Sequence, residues 1–316
     1  MRMLFLGTGD FGVPALRALM QRGHEFAAVI SQPDRPAGRG REVRPTPIHA
    51  LADELHLRHI QTEDVNALDL ADVLGGAALG VVAAFGQKIG PQLLAALPRG
   101  CVNIHGSLLP KYRGAAPYQR AILNGDEVTG VTVFQLDERW DAGGILGQRR
   151  TPIDDGETAD ELHDRLALLG AELIIDVVAD VAADRVRPVP QDVSQATRAP
   201  KLSKADGTVD WAQPARRVVR RIHGLWSWPA VACLFASRTG KQERVLLARA
   251  AVADQTAAPT DAIPPGAFCA DRTVQTGLGR VRLLEVRPAG GKLMPFEAFA
   301  NGRRIAPPDR FLPVVP

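Results

Sequence analysis

The chain reads as an α/β protein: an open parallel sheet in its first part and a small β-barrel in its second. Three observations predict this. Over residues 1–184, short apolar runs alternate with helical patterns, as parallel strands joined by crossover helices do. Residues 185–205 break the pattern with Pro188, Pro190 and Pro200 among Ser, Thr and Gln, the composition of a linker. Over residues 206–316, one helix is followed by short β-like runs at the spacing of a small barrel.

The elements follow in order. Met3–Leu6 is the first predicted strand, Gly12–Gln21 a helix and Glu25–Ile30 the second strand. Thr46–Leu55 reads as a helix, and the uninterrupted apolar run Leu79–Phe85 as a buried central strand. A helix near Pro91–Ala96, a strand at Val102, a helix over Ala116–Leu123 and a strand over Val131–Leu136 come next. In the long helix predicted over Glu157–Ala183, Leu162, Leu166, Leu169 and Leu173 recur every three or four residues, so one stripe faces a core. After the linker the predictions are a helix over Ala212–Leu225 and strands over Val231–Phe235, Arg244–Ala248, Val274–Thr276 and Val281–Val286. Thr256–Pro265 reads as a loose loop.

At 316 residues the chain is long enough for two domains, and a hydrophobic content of 46% supplies conventional cores. The cysteines Cys101, Cys233 and Cys269 are too scattered for a disulfide framework or a Cys-x-x-Cys metal site, which suits a reducing cytoplasm. The first apolar run, Met3–Leu6, breaks after four residues at Gly7, too soon for a signal peptide or a span, so a soluble protein is expected. Charge is divided unevenly. Residues 1–200 carry 20 Lys/Arg against 26 Asp/Glu, a balance of −6, whereas residues 201–316 carry 18 against 9, a balance of +9. The basic part is either solubilised surface or a face that meets a polyanion.

Gly7-Thr-Gly9-Asp-Phe-Gly12 matches the G-x-G-x-x-G pattern between a strand and a helix. A nicotinamide enzyme also needs an acidic residue at the end of its second strand, and here Asp34 lies beyond Pro33, inside a loop. The preferred reading is that these glycines shape the first turn and let the helix pack on the sheet.

The segment Ser31–Pro47 holds Arg35, Arg39, Arg41 and Arg44 among prolines and glycines, so it forms neither a helix nor an inner strand. Connections of this length are functional or simply solvated. On the helix after the linker, Arg216, Arg217, Arg220 and Arg221 fall on one arc, and Val218, Val219 and Ile222, with Trp211 upstream, on the other. The basic arc meets solvent or phosphate. Trp226 and Trp228 are expected to pack in the core or at a hinge.

The chemistry concentrates in Gly100-Cys-Val-Asn-Ile-His-Gly-Ser-Leu-Leu-Pro-Lys-Tyr-Arg-Gly114 and Leu136-Asp-Glu-Arg-Trp-Asp-Ala-Gly-Gly144. Asn103 and His105, two residues apart, project from the same face at a strand's carboxyl end, where open parallel sheets place their sites. Asn103 offers a neutral donor to a developing oxyanion, and His105 exchanges a proton near neutral pH. Asp137 and Asp141 both stand where a carboxylate completes the set. Ala142-Gly-Gly is expected to let the loop approach a ligand closely. Ser107 lacks the Gly-x-Ser-x-Gly context of a hydrolase nucleophile.

The string His105-Gly-Ser-Leu-Leu-Pro-Lys-Tyr-Arg-Gly-Ala-Ala-Pro117, with Asp141-Ala-Gly-Gly144 downstream, resembles the folate-dependent formyltransferase family. The resemblance spans nearly the whole chain and weakens after about Thr256. It implies a Rossmann-like catalytic domain and a barrel of the oligonucleotide-binding type. It also implies Asn103, His105 and Asp141 as the catalytic trio, with Asp137 as the lesser carboxylate. The implied formyl donor, 10-formyltetrahydrofolate, would lie along Phe85, Gly86, Gln87 and Ile89, the stretch Ser107, Leu108, Leu109 and Pro110, and the Asp137 loop, without a metal. In the family the first turn is usually Gly-Thr-Pro-Asp-Phe, so Gly9 is a departure that creates the dinucleotide match.

Gln32-Pro-Asp-Arg-Pro-Ala-Gly-Arg-Gly40 resembles the insertion of members acting on aminoacyl-tRNA, which implies initiator methionyl-tRNA as acceptor. By that analogy Arg39, flanked by Arg35 and Arg41, meets the tRNA end. Lys201-Leu-Ser-Lys204 and Trp226-Ser-Trp-Pro229 carry the same resemblance, which makes Lys201, Lys204 and the four helix arginines the expected tRNA contacts of a monomer. The rival readings are a sugar or nucleotide formyltransferase, a formyl-folate hydrolase and a non-catalytic tRNA-binding module.

Overall fold

A computed structural model describes residues 1–37 and 42–314 of the chain. They form two compact units. The first comprises residues 1–117, 128–152 and 163–200, and the second residues 118–127, 153–162 and 201–316.

In the first unit the strands run as β1 (Arg2–Gly7), β2 (Glu25–Ser31), the hairpin arms β3 (Arg35–Ala37) and β4 (Glu42–Arg44), β5 (His59–Gln61), β6 (Leu79–Ala83), β7 (Cys101–His105), β8 (Arg113–Gly114), β9 (Val128–Gln135), β10 (Ile145–Pro152) and β11 (Arg198–Ala199). Seven of them make one sheet in the order β10-β9-β7-β6-β1-β2-β5. The pairs from β7 to β5 are parallel, and β9 is antiparallel to both its neighbours. The chain leaves β1 toward β2 on one side and returns through β6 on the other, so the strand order switches at β1 and β6. Their carboxyl ends open the crevice where such sheets bind ligands.

Burial explains which strands the sequence reveals. The run Met3–Leu6 in β1 and every residue of β6 are buried, and these central strands read as continuous apolar runs. β10 alternates half-buried with exposed positions, and its Ile-Leu-Gly-Gln-Arg-Arg-Thr-Pro sequence carries little apolar signal. It is an edge strand. Its Arg149 is paired with Glu172 and, at 2.7 Å, Asp176 on a neighbouring helix.

The helices α1 (Val13–Gln21), α2 (Pro47–Glu54), α3 (Leu70–Leu74), α4 (Pro91–Ala96) and most of α6 (Ala159–Ala182) belong to this unit, whereas α5 (Pro117–Asn124) falls in the second apart from Pro117. α2 starts where Thr46 accepts the His49 N–H, and Pro47 suits the first turn. In α6, Leu162, Leu166 and Leu173 of the predicted stripe are buried and Leu169 is half-buried, with Ile174 and Val178 also buried.

The Arg-rich segment after β2 forms the β3–β4 hairpin outside the main sheet. Asp34 closes its base, accepting the Thr46 N–H at 2.9 Å and lying 2.9 Å from His49 Nδ1. Arg39 and Arg41 lie outside the described residues.

The second unit carries α7 (Ala215–Leu225), β12 (Val231–Ala236), β13 (Gln242–Asp254), β14 (Val274–Gln275), β15 (Arg280–Pro288), β16 (Met294–Pro295), α8 (Phe296–Arg303) and β17 (Arg310–Pro313). The antiparallel order is β14-β15-β13-β12-β17, with β16 beside β15. Gly266–Phe268 brings the two ends together: Gly266 N–H donates to Gln275, while Phe268 N–H donates to Asp309. A nearly closed barrel results, and closure removes exposed strand edges. Its interior is aromatic. Phe235 packs edge-on against Phe268, Phe299 and Phe311 with ring centroids 5.7–6.3 Å apart, and Trp211 stacks on Phe311.

His223 of α7 is buried, its Nε2 accepting the Ala250 N–H at 3.1 Å. Burial, reinforced by the nearby Arg249 charge, pushes its pKa down to about 4 from 6.5. Between those values the unfolded chain binds a proton that the native ring refuses, so stability falls as pH drops from about 6.5 to 4. His223→Gln keeps an acceptor and removes the titration. Urea unfolding across that range is expected to show a shallower acid-side loss for this variant, and an unchanged slope would assign the loss to other groups.

Candidate active site

Two residues of β7 and one of the loop after β9 build the site. Strand alternation puts Asn103 and His105 on one face of β7. Asn103 is half-buried, and no described residue is hydrogen-bonded to its side chain. His105 is buried, with Nε2 2.9 Å from the Tyr112 carbonyl. A carbonyl only accepts, so Nε2 carries the proton and the neutral ring presents a lone pair at Nδ1. The Phe134 ring stands edge-on to the imidazole, 6.5 Å between centroids.

Asp141 faces that free nitrogen. Its Oδ2 accepts the Gly114 N–H at 2.7 Å and lies 3.9 Å from His105 Nδ1. The second distance is too long for a hydrogen bond, so the carboxylate faces the ring nitrogen without bonding to it. Asp141 sits at φ 48°, in the left-handed region that aspartate tolerates better than most residues. Asp137 is placed differently. Its carboxylate accepts the Arg139 N–H at 2.8 Å and pairs with the Arg139 guanidinium, which fixes the loop's own turn.

The glycines of this loop serve the protein's own packing. A Cβ on Gly143 would stand 1.8 Å from the Gln135 carbonyl oxygen, so the close approach expected toward a ligand is made to β9. The first-turn glycine motif is also absorbed internally. A Cβ on Gly7 would meet Phe5 at 2.8 Å and the Ala83 carbonyl at 3.0 Å, and the Thr8 and Gly9 N–H groups both point to the Ala84 carbonyl at 3.3 Å. These donors are engaged by the loop after β6, and Asp34 is engaged at the hairpin base. The turn is structural, as its misplaced acidic residue suggests.

The residues expected around folate divide into two groups. Phe85 and Ile89 are buried in the core, and the Gln87 side chain accepts the Val65 N–H and donates to the Thr62 carbonyl, so these three hold the loop from behind. Gly86, at φ 77°, is exposed beside Gln32, whose amide donates to the Phe85 carbonyl at 2.8 Å. In the stretch after β7, the Ser107 hydroxyl is buried and donates to the Lys111 carbonyl. Leu109 is buried, while Leu108 and Pro110 are half-buried. The buried Thr132 hydroxyl donates to the Ser107 carbonyl at 2.7 Å and accepts the Leu109 N–H at 3.0 Å, and the Gln148 amide donates to both Thr132 and the Leu109 carbonyl.

The residues expected to meet tRNA also separate. Arg35, Lys201, Lys204, Arg216 and Arg217 are exposed. Arg220 is half-buried, its guanidinium lying over Gly125. Arg221 is turned into its own unit, where its guanidinium donates to the carbonyls of Thr208 and Asp206. Trp226 carries the Arg287 guanidinium 5.2 Å above its ring, and Trp228 is half exposed, so of the core and hinge placements expected, Trp228 does not take the core one.

Sequence reading missed Thr132, Gln148 and, above all, Gln191. The segment expected as a linker is hydrogen-bonded into the first unit from Val189 to Ala199: Val189 pairs with Ile145, Gln191 meets the Asp141 loop, and β11 pairs with β8. Its proline-rich composition gives no signal of this, because the partners lie about 50 to 85 residues away. Among the described residues no group of His, Cys, Asp and Glu is arranged to hold a metal, and no helix is long and apolar enough to cross a membrane.

The sheet of the first unit brings Asn103, His105 and Asp141 together near its carboxyl ends, and comparison supplies the class. Residues 1–178 match the formyl transferase family and residues 201–304 its C-terminal domain, so the chain belongs to the formyl transferase family. Among its relatives, the methionyl-tRNA formyltransferase of Heliobacterium modesticaldum is 42% identical, covering 98% of this chain and all of the relative. The methionyl-tRNA formyltransferase of Methylococcus capsulatus is also 42% identical, over 97% of this chain and 98% of the relative. An N-formyltransferase from Helicobacter canadensis, solved with folinic acid and dTDP-3-aminofucose, shares the fold with a TM-score of 0.65 at 15% identity, covering 89% of this chain and 98% of that one.

Proposed function

We propose that the chain transfers the formyl group of 10-formyltetrahydrofolate to the α-amino group of initiator methionyl-tRNA, acting as a cytoplasmic monomer. The observation that carries the reading is the 42% identity, over 98% of the chain, to a relative named for this activity. The arginines after β2 and the basic balance of residues 201–316 each offer positive charge to a polyanion.

The chemistry follows from the trio. The amino group of an aminoacyl ester has a modest pKa, so a neutral nucleophile is present near pH 7. Its lone pair attacks the formyl carbon, a C–N bond forms, and the carbonyl π electrons move to oxygen. Charge build-up on that oxygen is the costly step, and Asn103 with a protonated His105 stabilises it. Asp141 holds His105 charged through Nδ1 and relays the proton that the attacking amine loses. Collapse of the intermediate breaks the bond to folate N10, which takes the electron pair and a proton. The first unit performs this step, and the barrel grips tRNA.

The decisive assay supplies purified protein with 10-formyltetrahydrofolate and methionyl-tRNA and measures formyl-methionyl-tRNA. Formylation of a nucleotide-sugar amine in its place would reassign the substrate. Asn103→Ala, His105→Ala and Asp141→Asn are each expected to lower turnover by at least ~100-fold with the fold retained, the scale of losing an oxyanion donor or an acid–base group. Full turnover in Asp141→Asn would contradict the scheme.

Salt dependence separates the surfaces. Arg216→Ala with Arg217→Ala is expected to flatten the log–log dependence of tRNA affinity on salt by up to about 2, since each lost phosphate contact accounts for about 0.9. An unchanged slope would leave this helix face as solvated surface. Arg221 is excluded from that set because its guanidinium is held inside the unit.

A further inference from the structure

We propose that Gln191 is a positioning residue for the reaction, one that sets the Asp141 carboxylate against His105. The inference rests on the reading of Asp141 as the catalytic carboxylate. Gln191 uses its whole carboxamide. Nε2 donates to the Asp141 carbonyl at 2.9 Å and to the Gly143 carbonyl at 2.8 Å, while Oε1 accepts from Arg113 Nε at 3.1 Å and from the second guanidinium nitrogen at 2.7 Å.

The two sides that it joins are the two that aim the carboxylate. One is the loop whose backbone at Asp141 is in the left-handed region, which a non-glycine residue keeps only when its surroundings over-determine it. The other is Arg113–Gly114, whose Gly114 N–H holds Oδ2 and which β11 fixes by parallel pairing of Arg198 with Arg113 and Ala199 with Gly114. Without Gln191, each side keeps its local anchors, but no side chain ties one to the other through these four bonds. A displacement of even one ångström at a reacting group is costly in rate. Asp141 reaches His105 across 3.9 Å with no hydrogen bond between them, so its effect depends on placement alone.

The amide chemistry is specific. A carboxylate here would accept from Arg113 more strongly, yet it would set an acceptor oxygen in place of Nε2 against the carbonyls of Asp141 and Gly143. Gln191→Glu therefore keeps the shape and the Arg113 contact and removes only the two donors toward the Asp141 loop. Gln191→Met keeps the length and removes all four bonds.

The test uses the full-length protein, 10-formyltetrahydrofolate and methionyl-tRNA, with melting temperature measured alongside. Both variants are expected to lower kcat about 10-fold, with KM for either substrate changed by less than about 3-fold. Added to Asp141→Asn, Gln191→Glu is expected to have no further effect, because two residues that act through one carboxylate are not additive. A kcat within about 2-fold of the parent in the variant that keeps its melting temperature would overturn the proposal. So would a full multiplicative loss in the Asp141→Asn background. Absence of formylation by the unsubstituted protein, or a fully active Asp141→Asn, counts against the reaction and its carboxylate instead.

Discussion

The Gly114 N–H bound to Asp141 Oδ2 at 2.7 Å is the constraint on which the site depends. A carboxylate this buried must be met by donors or lose its charge, and a backbone N–H supplies one without adding a second positive side chain. The rest of the site follows from keeping that donor in place. β8 and β11 pair to hold Gly114, Asp141 takes a left-handed backbone, and Gly143 closes on Gln135 so that the loop can turn there. The carboxylate then faces Nδ1 of His105, whose other nitrogen is committed to the Tyr112 carbonyl. An aspartate beside a histidine is common. What this fold adds is a fixed division of roles between the two ring nitrogens.

Local pattern carried the sequence reading a long way, and it failed where geometry is set by distant partners. β1, β6 and β7 are legible because their buried faces make apolar runs, and the face shared by Asn103 and His105 follows from strand alternation alone. β10 and β17 are edge or closing strands with mixed sequences, and β5 is three residues long, so periodicity says little about any of them. The choice between Asp137 and Asp141 is not legible in spacing. In the structure Asp137 is paired with Arg139, while Asp141, held by the Gly114 N–H, lies 3.9 Å from His105 Nδ1. The stretch after α6 has a linker's composition and a strap's hydrogen bonding, because its partners are carbonyls and N–H groups, which leave no trace in residue identity.

The same logic separates apparent motifs from functional ones. Gly7-Thr-Gly9 has the letters of a phosphate-binding turn, but its donors are directed to the Ala84 carbonyl. Arg221 has the letters of a phosphate contact, but it caps backbone carbonyls within its own unit, while Arg216 and Arg217 stay exposed. In both cases hydrogen-bond partners, rather than residue types, decide whether a group remains to meet a ligand. The barrel is held by its aromatic interior.

The central claim, that His105 offers Nδ1 to Asp141 and the reacting groups, is tested most directly by nitrogen NMR of the imidazole. With the His105 ring nitrogens labelled and assigned, the spectrum at a pH where the ring is neutral reports which nitrogen holds the proton. The geometry predicts the proton on Nε2, donated to Tyr112, with the lone pair on Nδ1. It further predicts that Nδ1, which faces Asp141 across 3.9 Å, is the unprotonated nitrogen of the neutral ring. A neutral ring protonated on Nδ1 would contradict this account.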